Sequence, residues 1–270
     1  SCNISNDERS DAQPHVQSLA LTTFLSYVFS AQKTTAMKMK PIIISIGEVL
    51  VDFVSTATGT LRESAGFVKT VGGEAANVAV GLAKLGSHSQ FIGKVGADSF
   101  GEYLVDELKR YGVDVRQVVF DAKHKTRLAF VSLKESGERD FEFWENRPAG
   151  ERLQLADVNM SVLKNARIVN IAPLLLMKEP ARTTAFRIAR EMLKLGGNIA
   201  FDANVRLALW HSRAEAKRVM LQMAKLSSIL RLNDDEAKFL TGKSDIQFAA
   251  RKLLSLGPKL IAVTLGASGC

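Results

Sequence analysis

Short runs of β-branched and aliphatic residues alternate with amphipathic helical patterns from Pro41 to the end of the chain. Such alternation is typical of a parallel β-sheet whose strands are connected by helices packed on its faces. We therefore predict an α/β fold with a doubly wound, Rossmann-like and mostly parallel sheet and helices on both faces. The predicted strands are Ile42–Ile46, Gln90–Val95, Arg167–Ile171, Asn198–Phe201, Ser228–Leu232 and Leu260–Thr264.

The helical patterns between these strands end at glycine residues. Glycine is favoured just after the last helical turn because it adopts the left-handed conformation without steric cost. The predicted helices are Ala75–Leu85, Ser99–Tyr111 and Pro180–Leu195, followed by Gly86, Gly112 and Gly196 respectively.

Two segments interrupt the alternation and predict antiparallel hairpins. The first runs from Leu61 to Val71, and the second pairs Thr126–Leu133 with Arg139–Trp144 across the polar loop 134–137. We expect them to form a small β-sheet lid, from about 61–72 and 126–145, on a main domain that spans residues 41–270. A lid that closes over a ligand excludes water, as a site for phosphoryl transfer requires.

The first forty residues read differently from the rest of the chain. They contain a polar stretch and then a weakly apolar one, Ser18–Ala31, which is too short and too rich in Ser and Thr to cross a bilayer. We predict a disordered or non-native extension at 1–40, with the natural start at Met37 or Met39. Two cysteines, Cys2 and Cys270, provide neither a disulfide framework nor metal-ligand spacing, which indicates a reducing, cytoplasmic location.

The charge balance is basic, with a formal net charge of +8, yet the Lys and Arg residues are interleaved with acidic ones. A nucleic-acid-binding protein concentrates positive charge on one face, so we expect neither a nucleic-acid partner nor a membrane. A site for an anionic nucleotide accounts for the same surplus.

Ligands of open parallel sheets bind beyond the carboxyl ends of the strands, so the polar residues there are candidates for a site. Asp52 follows the first predicted strand, where its carboxylate could accept hydrogen bonds from two sugar hydroxyls. The pair Gly72-Gly73 precedes a helix that carries Asn77 one turn in, and glycine permits a close backbone approach to a ligand. Asp52 as a cap and the glycines as an ordinary turn remain alternatives.

The segment after the Asn198–Phe201 strand places Asp202, Asn204 and Arg206 within five residues. The planar guanidinium of Arg206 suits a phosphate group because it donates paired hydrogen bonds. The alternative is a helix N-terminus that Asp202 or Asn204 caps, with Arg206 in solvent.

Two further strand ends carry polar groups. Asn233 is followed by acidic residues that end in Glu236, so Asn233 could cap the next helix while Glu236 holds a hydrated Mg²⁺. A glycine-rich turn with Thr264, Gly266 and Gly269 offers a hydroxyl and backbone N–H groups to a nucleotide phosphate, without the spacing of a P-loop.

The histidines show neither acidic partners nor metal-ligand spacing in the sequence, and we assign them to the surface or to packing. They are His15, His88, His124 and His211. Hydrolase chemistry has no support, because no Gly-x-Ser-x-Gly motif is present.

Taken in order, these segments resemble the ribokinase or PfkB family of carbohydrate kinases from about Ile42 to the end of the chain. The run from Gly72 to Ala79, with the glycines and Asp98 that follow it, looks like the family's first signature. The segment 202–210 resembles the variant found in fructokinases and 2-keto-3-deoxygluconate kinases.

The resemblance implies a ribokinase-like fold and the transfer of a phosphoryl group from ATP, with Mg²⁺, to a sugar. It implies a sugar site formed by Asp52, Gly72, Gly73, Asn77 and the lid residues Phe130, Phe141 and Phe143. Asn204 and Arg206 would lie near the transferred phosphate. Asn233, Glu236 (to the metal through water), Thr264, Gly266 and Gly269 would serve the nucleotide. Family members often pair through such lids, which implies a homodimer.

The first candidate substrate is D-fructose, giving fructose 6-phosphate. Fructokinases typically carry a basic residue soon after the aromatic pair of the lid segment 141–150 and an Asp after Pro-Ala or Ser-Ala. Here Glu145 follows the aromatic pair and Gly150 follows Pro148-Ala149, so 2-keto-3-deoxygluconate kinase stays open. So does a different class, a catalytically inactive sugar-binding or regulatory homologue.

The family's second signature, Asp-Thr-x-Gly-Ala-Gly-Asp, is expected a few tens of residues after Thr264. It would provide the Asp that acts as general base and a glycine-rich anion hole. We therefore expect the base beyond Cys270, the chain as given to be truncated and inactive, and the intact gene product to be an active carbohydrate kinase.

Overall fold

The computed structural model describes residues 41–134, 139–144 and 147–270. The predicted extension at 1–40 lies outside these ranges, as do most of the hairpin loop 134–137 and residues 145–146 of the lid.

The described residues form a large parallel sheet and a smaller mixed sheet. Their strands are β1 (Ile42–Ile46), β2 (Leu50–Ser55), β3 (Phe67–Gly72), β4 (His88–Gly96), β5 (Asp114–Asp121), β6 (Leu128–Leu133), β7 (Arg139–Phe143), β8 (Ala166–Ile171), β9 (Asn198–Asp202), β10 (Ile229–Asn233) and β11 (Leu260–Thr264).

The large sheet has the strand order β11-β10-β9-β8-β1-β4-β5, and each neighbouring pair is parallel. All six predicted strands are present in it, with ends that differ by at most two residues. The edge strand β5 was not predicted, because its partly exposed residues mix charged and apolar types without a clear period. The α/β prediction with a parallel sheet is confirmed.

Six α-helices connect the strands within the described ranges. They are α1 (Glu74–Lys84), α2 (Ser99–Arg110), α3 (Ala181–Lys194), α4 (Arg213–Leu226), α5 (Asp234–Thr241) and α6 (Ile246–Leu254). The glycines predicted to end three of them do so in the left-handed conformation, with φ of +77°, +80° and +76° at Gly86, Gly112 and Gly196. Among the helices that the structure describes, none combines the length and the apolarity needed to cross a bilayer.

Helices cover both faces of the large sheet. Ile43 of β1 packs in one cluster with Val78 and Leu82 of α1, whereas the adjacent Ile44 packs in another with Ile188 of α3. Successive side chains of a strand point to opposite faces, so both sides of β1 are buried in apolar contacts.

The smaller sheet has the order β3-β2-β6-β7 and contains most of the residues predicted for the lid, so we call it the lid sheet, or the lid. The hairpin predicted from Thr126–Leu133 and Arg139–Trp144 is confirmed as the antiparallel pair β6 and β7. The hairpin predicted within 61–71 is wrong. Leu61–Glu63 is a single 3₁₀ turn, and β3 instead pairs antiparallel with β2. The sequence analysis does not predict β2. Only three residues separate it from β1, so the pattern alone indicates a loop after that strand.

Candidate active site

The nucleotide half of the candidate site lies at the carboxyl edge of the large sheet. Asp202, Asn233 and Thr264 are the last residues of three neighbouring strands, β9, β10 and β11. Parallel strands bring their carboxyl ends to one edge, so the structure places these predicted residues together.

Arg231 of β10 connects Asp202 of β9 with Thr264 of β11. Its Nη1 atom lies 3.1 Å from both carboxylate oxygens of Asp202, and its Nη2 atom donates to Thr264 Oγ1 at 2.9 Å. The sequence reading missed Arg231. The signal that could have revealed it is a charged residue inside an otherwise apolar strand.

Burial raises the pKa of Asp202 to about 7, and the nearby charge of Glu236 adds to this rise. The Arg231 charge and the Asn204 backbone N–H lower the same pKa but do not cancel the effect of burial. Removing a carboxylate from water disfavours its charged form, and a single arginine offsets this only in part. Asp202 therefore takes up a proton at a higher pH than an ordinary aspartate does.

The turn after β9 does not begin a helix at Asp202 or Asn204, so the helix-cap alternative for this segment is wrong. Asn204 has φ of +29°, and its Nδ2 atom donates a hydrogen bond of 2.7 Å to Glu74 Oε2 at the start of α1. Arg206 is exposed at the same edge. Glu74 was also missed, because an acidic residue in the first turn of a helix is common for reasons of helix stability alone.

The expected capping role of Asn233 is confirmed, and Glu236 shares it. Asn233 Oδ1 accepts from the Glu236 N–H at 2.8 Å, and Glu236 Oε2 accepts from the Asn233 N–H at 2.8 Å. Glu236 Oε1 accepts from the Val205 N–H at 2.6 Å. The pair thus forms a reciprocal capping box that also fixes the turn after β9.

This geometry limits how a metal ion could bind. Within the described ranges, no group of three His, Cys, Asp or Glu side chains could hold a metal ion, and both Glu236 oxygens already accept a backbone hydrogen bond. Mg²⁺ commonly keeps several waters and binds through one or two carboxylates together with substrate phosphates. The chemistry of Glu236 fits that mode, because a remaining lone pair on its carboxylate would hold a water of the hydrated ion.

The glycine-rich turn after β11 closes on itself through a hydrogen bond of 2.8 Å from the Leu265 N–H to the Gly269 carbonyl. Gly266 and Gly269 have φ of +59° and +89°, which side-chain-bearing residues rarely adopt. Thr264 Oγ1 accepts a hydrogen bond from Arg231, so its own hydroxyl proton is free to be donated to another group.

The sugar half of the candidate site lies at the base of the lid. Asp52 was expected in the loop after the first strand, but it lies within β2 of the lid sheet and is 7% exposed. A Cβ atom on Gly72 would stand 2.5 Å from Asp52 Cγ, so glycine leaves the space that this carboxylate occupies. Gly73 has φ of +100° and is the N-cap residue of α1, whose first turn carries the partly exposed Asn77.

The lid phenylalanines do not all face the same side. Asp52 of β2 lies beside Ala129 of β6, and Ala129 lies opposite Phe143 of β7. Side chains at paired positions point to the same face of a sheet, so Phe143 lies on the face of Asp52, as does Phe141 two residues before it. Phe130 lies on the opposite face, where it stacks on Phe53 at a centroid distance of 5.2 Å. The expectation that Phe130 lies beside the sugar is thus not supported by its position.

Buried ionic contacts fix the lid to the main domain. Arg127 Nε donates to Glu48 Oε1 at 2.9 Å, Arg127 Nη2 donates to Glu151 Oε1 at 2.6 Å, and the guanidinium lies 4.7 Å from the Phe143 ring centre. Burial raises the pKa of Glu48, and Arg127 lowers it. Arg127, itself part of the lid segment, therefore links Phe143 to Glu48 and Glu151 of the main domain.

His88 and His211 are exposed and His124 is partly exposed, which agrees with the assignment of these three to the surface or to packing, while His15 lies outside the described residues. The prediction that the histidines have no acidic partner is wrong for His124. His124 Nδ1 lies 3.1 Å from Asp121 Oδ2. This contact is local to the turn after β5, three residues apart in sequence.

Comparisons with known proteins identify the family of this chain. A family model described as pfkB family carbohydrate kinase matches residues 40–270. Fructokinase-2 of Oryza sativa subsp. japonica is 40% identical over 231 residues, which cover 85% of this chain and 69% of that protein.

Two solved structures extend the likeness to the fold. A fructokinase from Vibrio cholerae O395, solved with fructose, ADP and potassium ion, has a TM-score of 0.77 at 29% identity and is matched over 87% of this chain and 73% of its own. An uncharacterized sugar kinase from Pyrococcus horikoshii, solved in complex with ATP, has a TM-score of 0.73 at 36% identity over 83% of this chain and 71% of its own. The chain belongs to the pfkB family of carbohydrate kinases.

Proposed function

We propose that this protein transfers the γ-phosphoryl group of ATP to the terminal hydroxyl of D-fructose and so forms fructose 6-phosphate. The observation that carries the proposal is the 40% identity to a plant fructokinase over 85% of the chain. The arrangement of a buried lid carboxylate, Asp52, opposite a polar sheet edge with Arg206 supports it.

Each half of the site has a proposed task. Asp52 accepts hydrogen bonds from two sugar hydroxyls, Gly72 and Gly73 allow the sugar to approach the backbone, and Asn77 contacts it from α1. Phe141 and Phe143 cover the sugar from the lid. Since a buried carboxylate that accepts hydrogen bonds fixes hydroxyl positions, Asp52 selects the orientation of the sugar.

Phosphoryl transfer depends mostly on positioning and charge stabilisation, so the sheet edge has the second task. Arg206 and Asn204 contact the transferred phosphate, and Thr264, Gly266 and Gly269 contact the nucleotide. Asn233 holds Glu236, which would hold hydrated Mg²⁺ when it is bound, and that ion supplies neutralisation of phosphate charge. The resemblance assigns the general base to an Asp of the family's second signature, so turnover is measured with the full-length gene product.

The test is the initial rate of sugar-dependent ADP release with fructose, ribose, 2-keto-3-deoxygluconate and nucleosides. We expect fructose to give the highest kcat/KM, and Asp52→Asn to lower it at least tenfold because the amide donates where the carboxylate accepts. The absence of ADP release with every sugar would defeat the proposal.

A second candidate substrate, 2-keto-3-deoxygluconate, is favoured by the lid segment, in which the chain neighbours of Phe143 are Glu142 and Trp144 and neither is basic. A higher kcat/KM for it than for fructose would establish this alternative. Fructose binding by calorimetry without turnover would instead establish an inactive sugar-binding homologue.

The proposal includes a homodimer formed through the lid and a cytoplasmic location. Val68, Leu133 and Phe141 are 54%, 47% and 47% exposed on the lid face that carries Asp52, and such an apolar strip suits a second copy of the same face. Light scattering after chromatography should give twice the chain mass, and Phe141→Ser should shift it toward the monomer. The location rests on the two cysteines alone and is tested by fluorescence microscopy.

A further inference from the structure

Glu74 joins the two halves of the site. It is the first residue of α1, directly after Gly73, and its Oε2 atom accepts a hydrogen bond of 2.7 Å from Asn204 Nδ2. The two residues are 130 positions apart in the chain and belong to different halves of the cleft. Glu74 is thus a direct contact between the sugar side and the phosphate side.

Asn204 is held at both ends. Its backbone N–H donates to the Asp202 carboxylate, and its side chain donates to Glu74. Among the described residues other than glycine, Asn204 is the one with positive φ, a conformation that persists when surrounding contacts enforce it. Arg206 follows two residues later, so the orientation of Asn204 also sets the direction of this turn.

The contact belongs to a chain of hydrogen bonds across the sheet edge. Asp202 accepts from Arg231, and Arg231 also donates to Thr264. These hydrogen bonds connect residues from α1 to β11. Glu74 is the residue at the α1 end, next to Gly72 and Gly73 of the proposed sugar site.

The second oxygen of Glu74 is unusual. Within the described part of the chain, Glu74 Oε1 is buried and has no hydrogen-bond partner. A carboxyl group that only balanced the helix dipole of α1 would not need burial, since an exposed carboxylate in the first helical turn already interacts favourably with the dipole. Burial raises the pKa of Glu74 well above its usual range, Asp202 adds to this rise, and Asn204, Arg206 and Arg231 oppose it.

We propose that Glu74 is a positioning residue that holds the Asn204 amide, and through it the turn to Arg206, in the orientation required at the transferred phosphate. The inference rests on the proposed phosphoryl transfer and deepens it. Glu74 acts through Asn204, so its loss should lower kcat more than it raises the KM for sugar.

The experiment compares Glu74→Ala, Glu74→Gln, Asn204→Ala and the double variant Glu74→Ala/Asn204→Ala in the full-length gene product. Small misplacements of a reacting group can cost on the order of 100-fold in rate. We expect Glu74→Ala to lower kcat about 10- to 100-fold with the sugar KM changed less than about threefold. Glu74→Gln should retain kcat within about threefold because its amide oxygen still accepts from Asn204 Nδ2.

The double variant provides the decisive comparison. Residues that act as a unit are not additive, so it should be no slower than Asn204→Ala alone. Glu102→Ala is the matched control, because Glu102 is an exposed acid in the first turn of α2 and reports the helix-dipole effect without a contact to the site. Any of four results would overturn the inference. The losses of kcat in Glu74→Ala and Asn204→Ala could add in the double variant, or kcat could be unchanged in Glu74→Ala. The loss in Glu74→Ala could also equal that in Glu102→Ala, or the effect could be confined to the sugar KM.

A second readout does not depend on turnover. The side-chain NH₂ protons of Asn204 should be shifted downfield and protected from exchange in the wild-type protein and in Glu74→Gln, but not in Glu74→Ala. If no sugar is phosphorylated, the proposed function fails while this measurement still decides the contact. Identical Asn204 signals in all three proteins would remove its structural basis.

Discussion

Arg231 and Asp202 form a buried ion pair between neighbouring strands, with side chains that are only 7% and 5% exposed. The pair lies beneath the proposed phosphate site and holds Asn204 through Asp202 and Thr264 through Arg231. The polar groups of the proposed nucleotide site therefore hold one another in place through contacts within the protein. Such preorganisation is what stabilisation of a developing charge requires.

Arg231→Met should destabilise the fold strongly, since it leaves the Asp202 carboxylate buried without its cation. Breaking a buried pair by removal of one partner typically costs about 3–5 kcal/mol. The cost should be largest at pH 8 and smaller at pH 5, where Asp202 takes up a proton. Urea unfolding at both pH values measures this cost.

Arg110→Met is the control, because it removes an exposed pair with Glu107 and should leave the unfolding midpoint nearly unchanged. Equal midpoints for Arg231→Met and wild type would contradict the prediction.

The stability of the protein should depend on pH through Asp202. Its pKa is raised from 3.8 to about 7 on folding, so the folded state binds the proton more tightly than the unfolded state does. The contribution of Asp202 to the free energy of unfolding is therefore greatest below about pH 4 and is lost as the pH rises toward 7. Asp202→Asn should flatten the pH dependence between these values in urea unfolding, whatever its effect on the absolute stability. A slope unchanged from wild type would show that Asp202 does not titrate in this range.

The strands and the polar residues at their ends were predictable because both depend on local sequence. Strand periodicity located β9, β10 and β11, and the rule that ligands bind beyond parallel strands then pointed to Asn204, Asn233 and Thr264. Asp52 was selected as a site candidate from the same rule, although its strand was not recognised.

The remaining features depend on pairings that a single sequence does not reveal. The face of Phe130 relative to Asp52 follows from the register of β2 against β6, which one residue of slip would reverse. Glu74 looks ordinary in sequence, and the charge of Arg231 inside an apolar strand does not reveal its partner. The roles of both arise from contacts with Asn204 and Asp202 on other elements.

Gly72→Ala should weaken sugar binding through displacement of Asp52. The added Cβ would stand 2.5 Å from Asp52 Cγ, and a contact this short forces the carboxylate to move. Gly72 does not have positive φ, so backbone strain is not the cause of the effect. We expect fructose affinity to fall at least about tenfold by calorimetry, as for loss of hydrogen bonds to a charged group.

The matched control for Gly72→Ala is Gly66→Ala in the same lid. Its Cβ would stand 3.3 Å from Thr56 Oγ1, a side chain at the lid surface that can shift slightly. It should retain wild-type affinity for fructose. Equal affinities for both variants would show that Asp52 does not contact the sugar or that it moves without consequence.

Phe143→Ala and Phe130→Ala should separate sugar binding from lid stability. Phe143 lies on the face of Asp52, against the Arg127 guanidinium, so its loss should reduce fructose affinity about tenfold with a smaller effect on unfolding.

Phe130 packs between Phe53, at 5.2 Å, and Phe67, at 5.4 Å, on the opposite face. Its truncation removes these contacts from a partly buried cluster and should cost about 2–3 kcal/mol of unfolding free energy, somewhat below the range for fully buried phenylalanine. Calorimetry with fructose and urea unfolding of both variants check the assignment. The reverse outcome, in which Phe130→Ala loses sugar affinity and Phe143→Ala loses stability, would mean that the sugar occupies the other face of the lid.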